Sequence, residues 1–506
     1  MISAGLFAAA ALNPAKAAAI QGETGAQLNY GDLNARSADL ARKLRQHLAE
    51  GDRVGLLLEN GLDYFIAAWA ARRSGLRYVP INWHLQSAET AYIVANSEAR
   101  ALIASTHLSD LAMRSTIGSD TLDLMLTMDE PFGDFQVVAD LPKAPAIVER
   151  EGSAMMYSSG TTGAPKGILR PLGAQAAGTP GLNEEMMRGA YAIGPGSVLL
   201  AAGPLYHAAP LAWSMGTQVF GGTSVVMSAF DPEMVLAAIE RFGVTHGLFV
   251  PTHFVRMLKL PEATRRRYDL SSLKAVIHAG APCPPEVKRQ MIDWLGPVIE
   301  EFYGASEGGF VKASTADWLE RPGTVGRSFA GPIRILDDDH NDLPRGAKGT
   351  IYFQLTAPFE YYKEPTKTRN TVLDGQWCTA GDIGYLDEDD FLFLVDRKHN
   401  MIISGGVNIY PQEVENLLTM HPAVADLAVI GVPNQEFGEE VKAVIAIADG
   451  HVATPQLAEQ LIAYCRERLA HYKCPRTVDF VAAIPRLPSG KVRKHELQAL
   501  YEAPKL

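Results

Sequence analysis

The feature that most limits the fold of this chain is an alternation of short apolar runs with stretches of helical spacing, sustained as far as Tyr303. Arg53 to Leu58 is an apolar run ending at Glu59-Asn60-Gly61, and Asp63 to Ser74 then carries Phe65, Ala68 and Trp69 at helical spacing before Gly75 stops it. Tyr78 to Ile81 predicts a strand, Ala88 to Ala95 a helix and Ala101 to Ile103 a further strand. The rhythm returns with strands at Ser197 to Ala202, Thr223 to Met227, Gly247 to Val250, Leu273 to Ala279 and Val298 to Tyr303. Between them lie helices at Leu211 to Val219, Pro232 to Phe242 and Glu286 to Leu295. Strands separated by helices are joined by crossovers, which pair them in parallel. Two α/β layers of similar size are expected, at about residues 1–170 and 171–310.

From Gly331 the texture changes. Ile333 to Ile335, Thr350 to Gln354 and Phe391 to Val395 are short and turn-bounded, with acidic turns at Asp337-Asp338-Asp339 and Asp387 to Asp390. Residues 320–395 predict an antiparallel sheet or small barrel. After Asp396-Arg397-Lys398 a separate unit begins, with a helix at Pro411 to Met420, strands at Val424 to Val432 and Val441 to Ile447, and a helix from Pro455 to Leu469. That last helix opens on Thr454-Pro455, a hydroxyl cap followed by proline in the first turn. A C-terminal α+β domain of about a hundred residues is the natural division.

The length of 506 residues fits roughly three to four domains. A net charge of -11 argues against a protein whose main task is gripping nucleic acid, which needs a basic face. The four cysteines, Cys283, Cys378, Cys465 and Cys474, are widely spaced and form no C-x-x-C pair, so reduced thiols in a cytoplasmic protein are expected. Gly5 to Leu12 is apolar but follows no basic leader and is cut short by Asn13-Pro14, which reads as a first helix and not a signal peptide. No apolar run approaches the ~20 residues that span a bilayer.

Four stretches carry chemistry. Tyr157 to Gly167 (Tyr-Ser-Ser-Gly-Thr-Thr-Gly-Ala-Pro-Lys-Gly) follows the apolar Ala154-Met155-Met156. It reads as a strand opening into a loop that can wrap a polyphosphate: glycines let backbone N–H groups approach, hydroxyls add donors, and Lys166 adds charge. The spacing is not that of a Walker loop, and by composition alone a Ser/Gly linker is as good a reading. The second stretch, Glu301 to Gly308, follows a strand and so lies where open α/β sheets bind ligands. Tyr303 offers an aromatic face to a base, Ser306 a hydroxyl to phosphate, and Glu307 a hard oxygen to Mg²⁺; alone, the same residues describe a turn. The third is Trp377 to Asp382 with Asp396-Arg397 beyond it, where a carboxylate beside glycine can accept the hydroxyls of a ribose. The fourth, Pro485 to Lys494, places Lys491 in a Pro/Gly-rich tail where a lone lysine would ordinarily be a solvated charge.

Together the four stretches resemble the AMP-forming acyl-CoA synthetases, part of the adenylate-forming (ANL) superfamily that includes fatty-acyl-CoA and 4-coumarate-CoA ligases, luciferases and peptide-synthetase adenylation domains. The resemblance covers essentially the whole chain, in the family's motif order, and Ile402 to Glu415 is closest to its acyl-CoA ligase branch. It implies that Ser158, Ser159, Gly160, Thr161, Thr162, Gly163 and Lys166 form the phosphate loop. Gly280, Ala281 and Pro282 would border the adenine, and Tyr303, Gly304, Ala305, Ser306 and Glu307 would form the adenine and Mg²⁺ motif, with Thr161 sharing the metal. Asp382 and Arg397 match the ribose contacts. The fold implied is α/β: a large N-terminal domain, residues 1–395, of two parallel-sheet α/β subdomains plus a small β-barrel, then a hinge at 396–398 and a small mobile α+β domain at 399–506.

The reaction implied has two steps. A carboxylate attacks the α-phosphate of Mg·ATP and pyrophosphate leaves; a thiol, expected to be CoA, then displaces AMP and a thioester forms. Two anions must meet, so fixed positive charge and preorganised donors have to offset their repulsion. Lys491 is the residue expected to bridge carboxylate and α-phosphate, with Thr161, Ser306, Lys166 and Glu307 holding the phosphates. Asp396 matches the hinge about which the family swings its C-terminal domain, and Gly405-Gly406 the bare backbone beside the pantetheine tunnel. The sequence departs from the usual pattern at Ser306 (Thr is common), at Ala380 (Thr is usual) and at His399-Asn400 (often Lys-Asp).

Pro204-Leu205-Tyr206-His207 matches the motif whose histidine closes the acyl site; the plain alternative is a satisfied core histidine. Ala208, Ala209 and Trp213 follow on the presumed helix, and no acid appears until Asp231 to hold an α-ammonium. The pocket reads as apolar and roomy, favouring a medium- or long-chain fatty, aryl or alicyclic acid. The expected partners are that acid and CoA, with a homodimer as a conceivable assembly. Two rivals stand beside the ligase: an adenylating enzyme that passes its acyl group to a carrier protein or an amine, and a nucleotide-binding protein without catalysis.

Overall fold

The computed structural model describes residues 5–158, 165–397, 400–486 and 492–501. The chain divides into two compact units: Met1–Phe249 with Glu262–Val276 and Thr356–Thr371, and Val250–Pro261 with Ile277–Leu355 and Val372–Leu506.

The first unit is built on parallel sheets. One has six strands in the order Gln136–Val137, Leu124–Thr127, Ala99–Ala104, Arg53–Leu57, Arg77–Pro80 and Ser153–Ala154, every neighbouring pair parallel. Its central strands are continuous apolar runs because both faces are covered, and helix Leu62–Arg73 is buried from Tyr64 onward. Arg72 survives there because Glu151 and Glu184 hold its guanidinium, the latter at 2.9 Å. A second set pairs Ala17–Gln21, Thr223–Val226, Val198–Ala201 and His246–Phe249 in parallel, with Gln27–Asn29 antiparallel at its edge. The alternation of apolar runs and helices thus gives parallel sheets, but Ala17–Gln21 joins the second set and not the first, and Ile299–Tyr303, expected in the same rhythm, pairs antiparallel with Val311–Ala313. A small antiparallel sheet of Met156–Ser158, Lys166–Leu169 and Glu360–Tyr361 stands beside them.

In the second unit, Ile299–Tyr303, Val311–Ala313, Thr324–Ser328, Leu392–Arg397, Asp382–Leu386 and Gly349–Gln354 pair antiparallel in that order. Downstream, the order Val407–Ile409, Ile402–Ser404, Gly438–Ile447 and Val424–Asn434 forms a further sheet, with Thr477–Val481 parallel to Gly438–Ile447. It is buried on both faces. Val429, Ala443 and Ile445 pack with Val414, Leu418 and Leu461 of helices Pro411–Leu418 and Pro455–Arg466. Ile430, Val444 and Ala446 pack with Ile484 and Leu497. Among the described residues no helix is long and apolar enough to cross a membrane.

Candidate active site

Candidate residues occur in each unit. In the second, strand Ile299–Tyr303 ends in a reversal: Ala305 N–H donates to Gly308 O at 3.0 Å and Gly308 N–H returns to Ala305 O at 3.2 Å. Gly304 is needed because a Cβ there would stand 2.6 Å from Gly309 O. The turn carries Ser306 exposed and Glu307 half-buried at its tip. A partly solvated carboxylate on a tight turn is a hard oxygen donor of the kind Mg²⁺ takes.

Tyr303 reaches from the same strand to Asp382. Its hydroxyl donates to Asp382 Oδ2 at 2.7 Å, while Arg397 Nε lies 3.2 Å from Oδ1. Asp382 and Arg397 are cross-strand partners in the Asp382–Leu386 and Leu392–Arg397 pair, which explains their contact. Burial pushes the Tyr303 phenol well above its ordinary range, and Asp382 adds to the effect, so this hydroxyl stays a donor. Each carboxylate oxygen keeps acceptor capacity for a diol. The ribose candidates Asp382 and Arg397 and the base candidate Tyr303 are therefore brought together by the sheet. Gly280, with φ of +84°, turns the chain into Ala281 and exposed Pro282.

Asp396, in the same strand as Arg397, is buried at 8% exposure and tied to the segment after it. It accepts from Arg397 N at 2.7 Å, from Asn400 Nδ2 at 3.1 Å and from Gln412 N at 3.2 Å, the last in the first turn of helix Pro411–Leu418. Gly405 and Gly406 join Ile402–Ser404 to Val407–Ile409 as a two-residue hairpin turn with φ of +59° and +79°. Such a turn asks for left-handed backbone at both positions, so the glycines have a structural reason of their own. A Cβ on Gly405 would also stand 3.1 Å from the Phe437 ring.

In the first unit, Ser158 and Lys166 are register partners in an antiparallel pair. Tyr157, next to Ser158, donates a 2.7 Å hydrogen bond to Asn96 Oδ1. His207 precedes helix Ala208–Val219 in extended backbone, with Ala208 and Ala209 half-buried and no acid in the first turn. The Tyr206 ring lies 4.7 Å from His207 and 6.3 Å from His84, which stacks on Trp83 at 3.5 Å. No motif in the sequence singles out Trp83 and His84; their position just after strand Arg77–Pro80, at its carboxyl end, is the signal that could have found them. Trp213 is buried against Tyr191, ring centroids 5.0 Å apart.

Ser159, Gly160, Thr161, Thr162, Gly163 and Lys491 lie outside the described residues. The stretch that holds Lys491 is bracketed by a bridge between Arg486 and Val492. Arg486 is itself held by Asp426, with Nε 2.7 Å from Oδ2.

The AMP-binding enzyme family matches residues 6–362, and its C-terminal domain residues 413–491. A feruloyl-CoA synthase of Amycolatopsis sp is 34% identical over 480 residues, 94% of each chain. The amide bond synthetase McbA of Marinactinospora thermotolerans superposes with a TM-score of 0.83 at 28% identity, over 98% of this chain and 99% of that one. The o-succinylbenzoate CoA synthetase of Bacillus subtilis, in complex with its acyl-adenylate, gives 0.82 at 26% identity and covers 98% of both chains. The chain belongs to the AMP-binding enzymes, in the acyl-CoA synthetase branch of the adenylate-forming superfamily.

Proposed function

We propose that this acid–thiol ligase, which forms AMP from ATP, activates an apolar carboxylic acid, an aryl acid foremost. The observation that carries the reading is the likeness over 94% of both chains to a feruloyl-CoA synthase. Two half-buried alanines after His207, with no acid in the first helical turn, fit an apolar acid better than an amino acid. In the first step a carboxylate oxygen bonds to the α-phosphorus of ATP and the bond to pyrophosphate breaks. In the second, the CoA sulfur bonds to the acyl carbon, the acyl–phosphate bond breaks, AMP leaves and the thiol proton is lost.

The residues divide the work. Lys491 bridges the carboxylate and the α-phosphate, and His207 closes the acyl site. Ser158 to Gly163, Lys166 and Ser306 hold the phosphates. Tyr303 and Gly280 to Pro282 enclose the base, and Asp382 with Arg397 takes the ribose. Glu307 and Thr161 would hold Mg²⁺, which supplies positive charge that neutralises the phosphates. Asp396 is the hinge between a domain of residues 1–395 and a mobile one at 399–506, and Gly405-Gly406 faces the pantetheine arm. Cytoplasmic location and a homodimer belong to the same reading. A second reading, transfer of the acyl group to an amine, is favoured by the likeness to an amide bond synthetase.

A panel of aryl, fatty and alicyclic acids with ATP and CoA tests the proposal. An aryl acid is expected to give AMP and acyl-CoA in equal amounts. AMP release that responds to an amine and not to CoA would favour the second reading; ADP in place of AMP would reject both.

A further inference from the structure

The second unit holds a buried cluster of titratable side chains that the reaction above does not use. Lys288, in the first turn of helix Pro285–Leu295, donates from Nζ to Glu301 Oε2 at 2.6 Å. His278 Nε2 lies 3.5 Å from the same oxygen. All three are buried, Lys288 and His278 completely. The Phe254 ring meets His278 edge-on at 5.4 Å, and Lys288 Nζ stands 5.4 Å over the Trp318 ring. Burial and the nearby Lys288 hold the His278 imidazole well below its usual range, so it is neutral. Burial also raises the Glu301 carboxyl, against the pull of Lys288. Desolvating such a pair is costly, and apolar residues of similar volume often replace one without loss of stability. Its presence asks for a reason other than stability.

The reason lies in what the cluster connects. Glu301 and Tyr303 are two apart on one strand and so project from the same face, roughly 7 Å apart along it. Their register partners, Ala313 and Val311, confirm an unbroken strand between them. His278 and Lys288 bracket the segment that contains Gly280, Ala281 and Pro282; Lys288 is bonded to the Glu301 carboxylate, and the neutral His278 packs 3.5 Å from the same oxygen without a hydrogen bond. The geometry points to a positioning role: the Lys288–Glu301 bond, with His278 packed against it, fixes the Gly280–Pro282 turn against Tyr303 and thereby sets the width of the nucleobase slot. This rests on the reading of those two elements as the walls around the adenine. The three are positioning residues, since all are buried within the fold.

The test is the double variant Lys288→Met/Glu301→Leu, with thermal unfolding, the KM values for ATP, acid and CoA, and the ratio of kcat/KM for ATP over GTP. Loosening the slot is expected to raise KM for ATP about tenfold and to lower the ATP preference, with KM for acid and CoA unchanged. Should the double variant fail to fold, Glu301→Gln is read by the same split, with about a threefold rise in KM for ATP expected. An unchanged KM for ATP and unchanged base preference in a folded variant overturns the role, as does an equal rise in all three KM values. A wild-type protein that exchanges no pyrophosphate into ATP with any acid overturns the site reading and this role together, whereas normal wild-type exchange with an unaffected variant overturns this role alone.

Discussion

In the proposed site Tyr303 combines two jobs in one side chain: a ring for the base and a hydroxyl that donates to Asp382 at 2.7 Å. Tyr303→Phe keeps the first and removes the second. The lost hydrogen bond to a charged acceptor is expected to raise KM for ATP by about tenfold, from roughly 1.5 kcal/mol, with little change in KM for the acid. Steady-state kinetics with each substrate varied would check it. His253 makes a prediction of a different kind. Burial, helped by Arg256, pushes its imidazole from 6.5 down to about 3. The unfolded chain therefore binds a proton that the fold refuses, so stability is intact above pH 6.5 and falls as pH drops towards 3. His278 acts in the same direction. Urea midpoints measured across that range should decline with acid, and His253→Gln should flatten the decline. At this scale the sequence exposes residue types in motif order but not their pairings. The Tyr303–Asp382 contact joins two strands far apart in the chain. Lys288 does carry a signal, because with Met291 and Ile292 it lies on the apolar stripe of its helix, where a charge has to be paired.

Elements are most legible where the physics is local. Helix Pro232–Phe242 and the start of Pro455–Arg466 obey their caps: Asp231 accepts from Met234 N, and Thr454 from Leu457 N at 3.1 Å. Thr454→Ala is expected to cost about 1 kcal/mol of stability in the C-terminal region, seen as a lower denaturant midpoint. Parallel strands are legible as apolar runs because both faces are covered. Strand Val424–Asn434 extends past Val432, through Pro433; it is the edge of its sheet, where a proline is tolerated. Helix Tyr30–Arg45, absent from the expected elements, carries its own local signals. Asn29 caps it by accepting from Asp32 N, and Leu33, Leu40, Ala41 and Leu44 are buried at helical spacing.

For the whole molecule, the large α/β portion and the smaller C-terminal portion are readable from the switch between helix-linked strands and antiparallel ones. The two compact units cut across that linear order, because Val250–Pro261 joins the later segments and Thr356–Thr371 the earlier ones. Lys259 illustrates it: its ammonium donates to Val424 O at 3.0 Å and Ala425 O at 3.1 Å, a contact that no local pattern announces. Everything proposed for the reaction depends on a tail lysine serving one half of a two-step process. The decisive comparison sets Lys491→Ala beside the wild type in each half separately: pyrophosphate exchange for adenylation, and thioester formation from supplied acyl-adenylate and CoA. A loss of at least ~10²-fold is expected in the first, the scale of a missing transition-state contact, and a far smaller loss in the second. Equal losses in both halves, or an unimpaired first half, would contradict that role for Lys491.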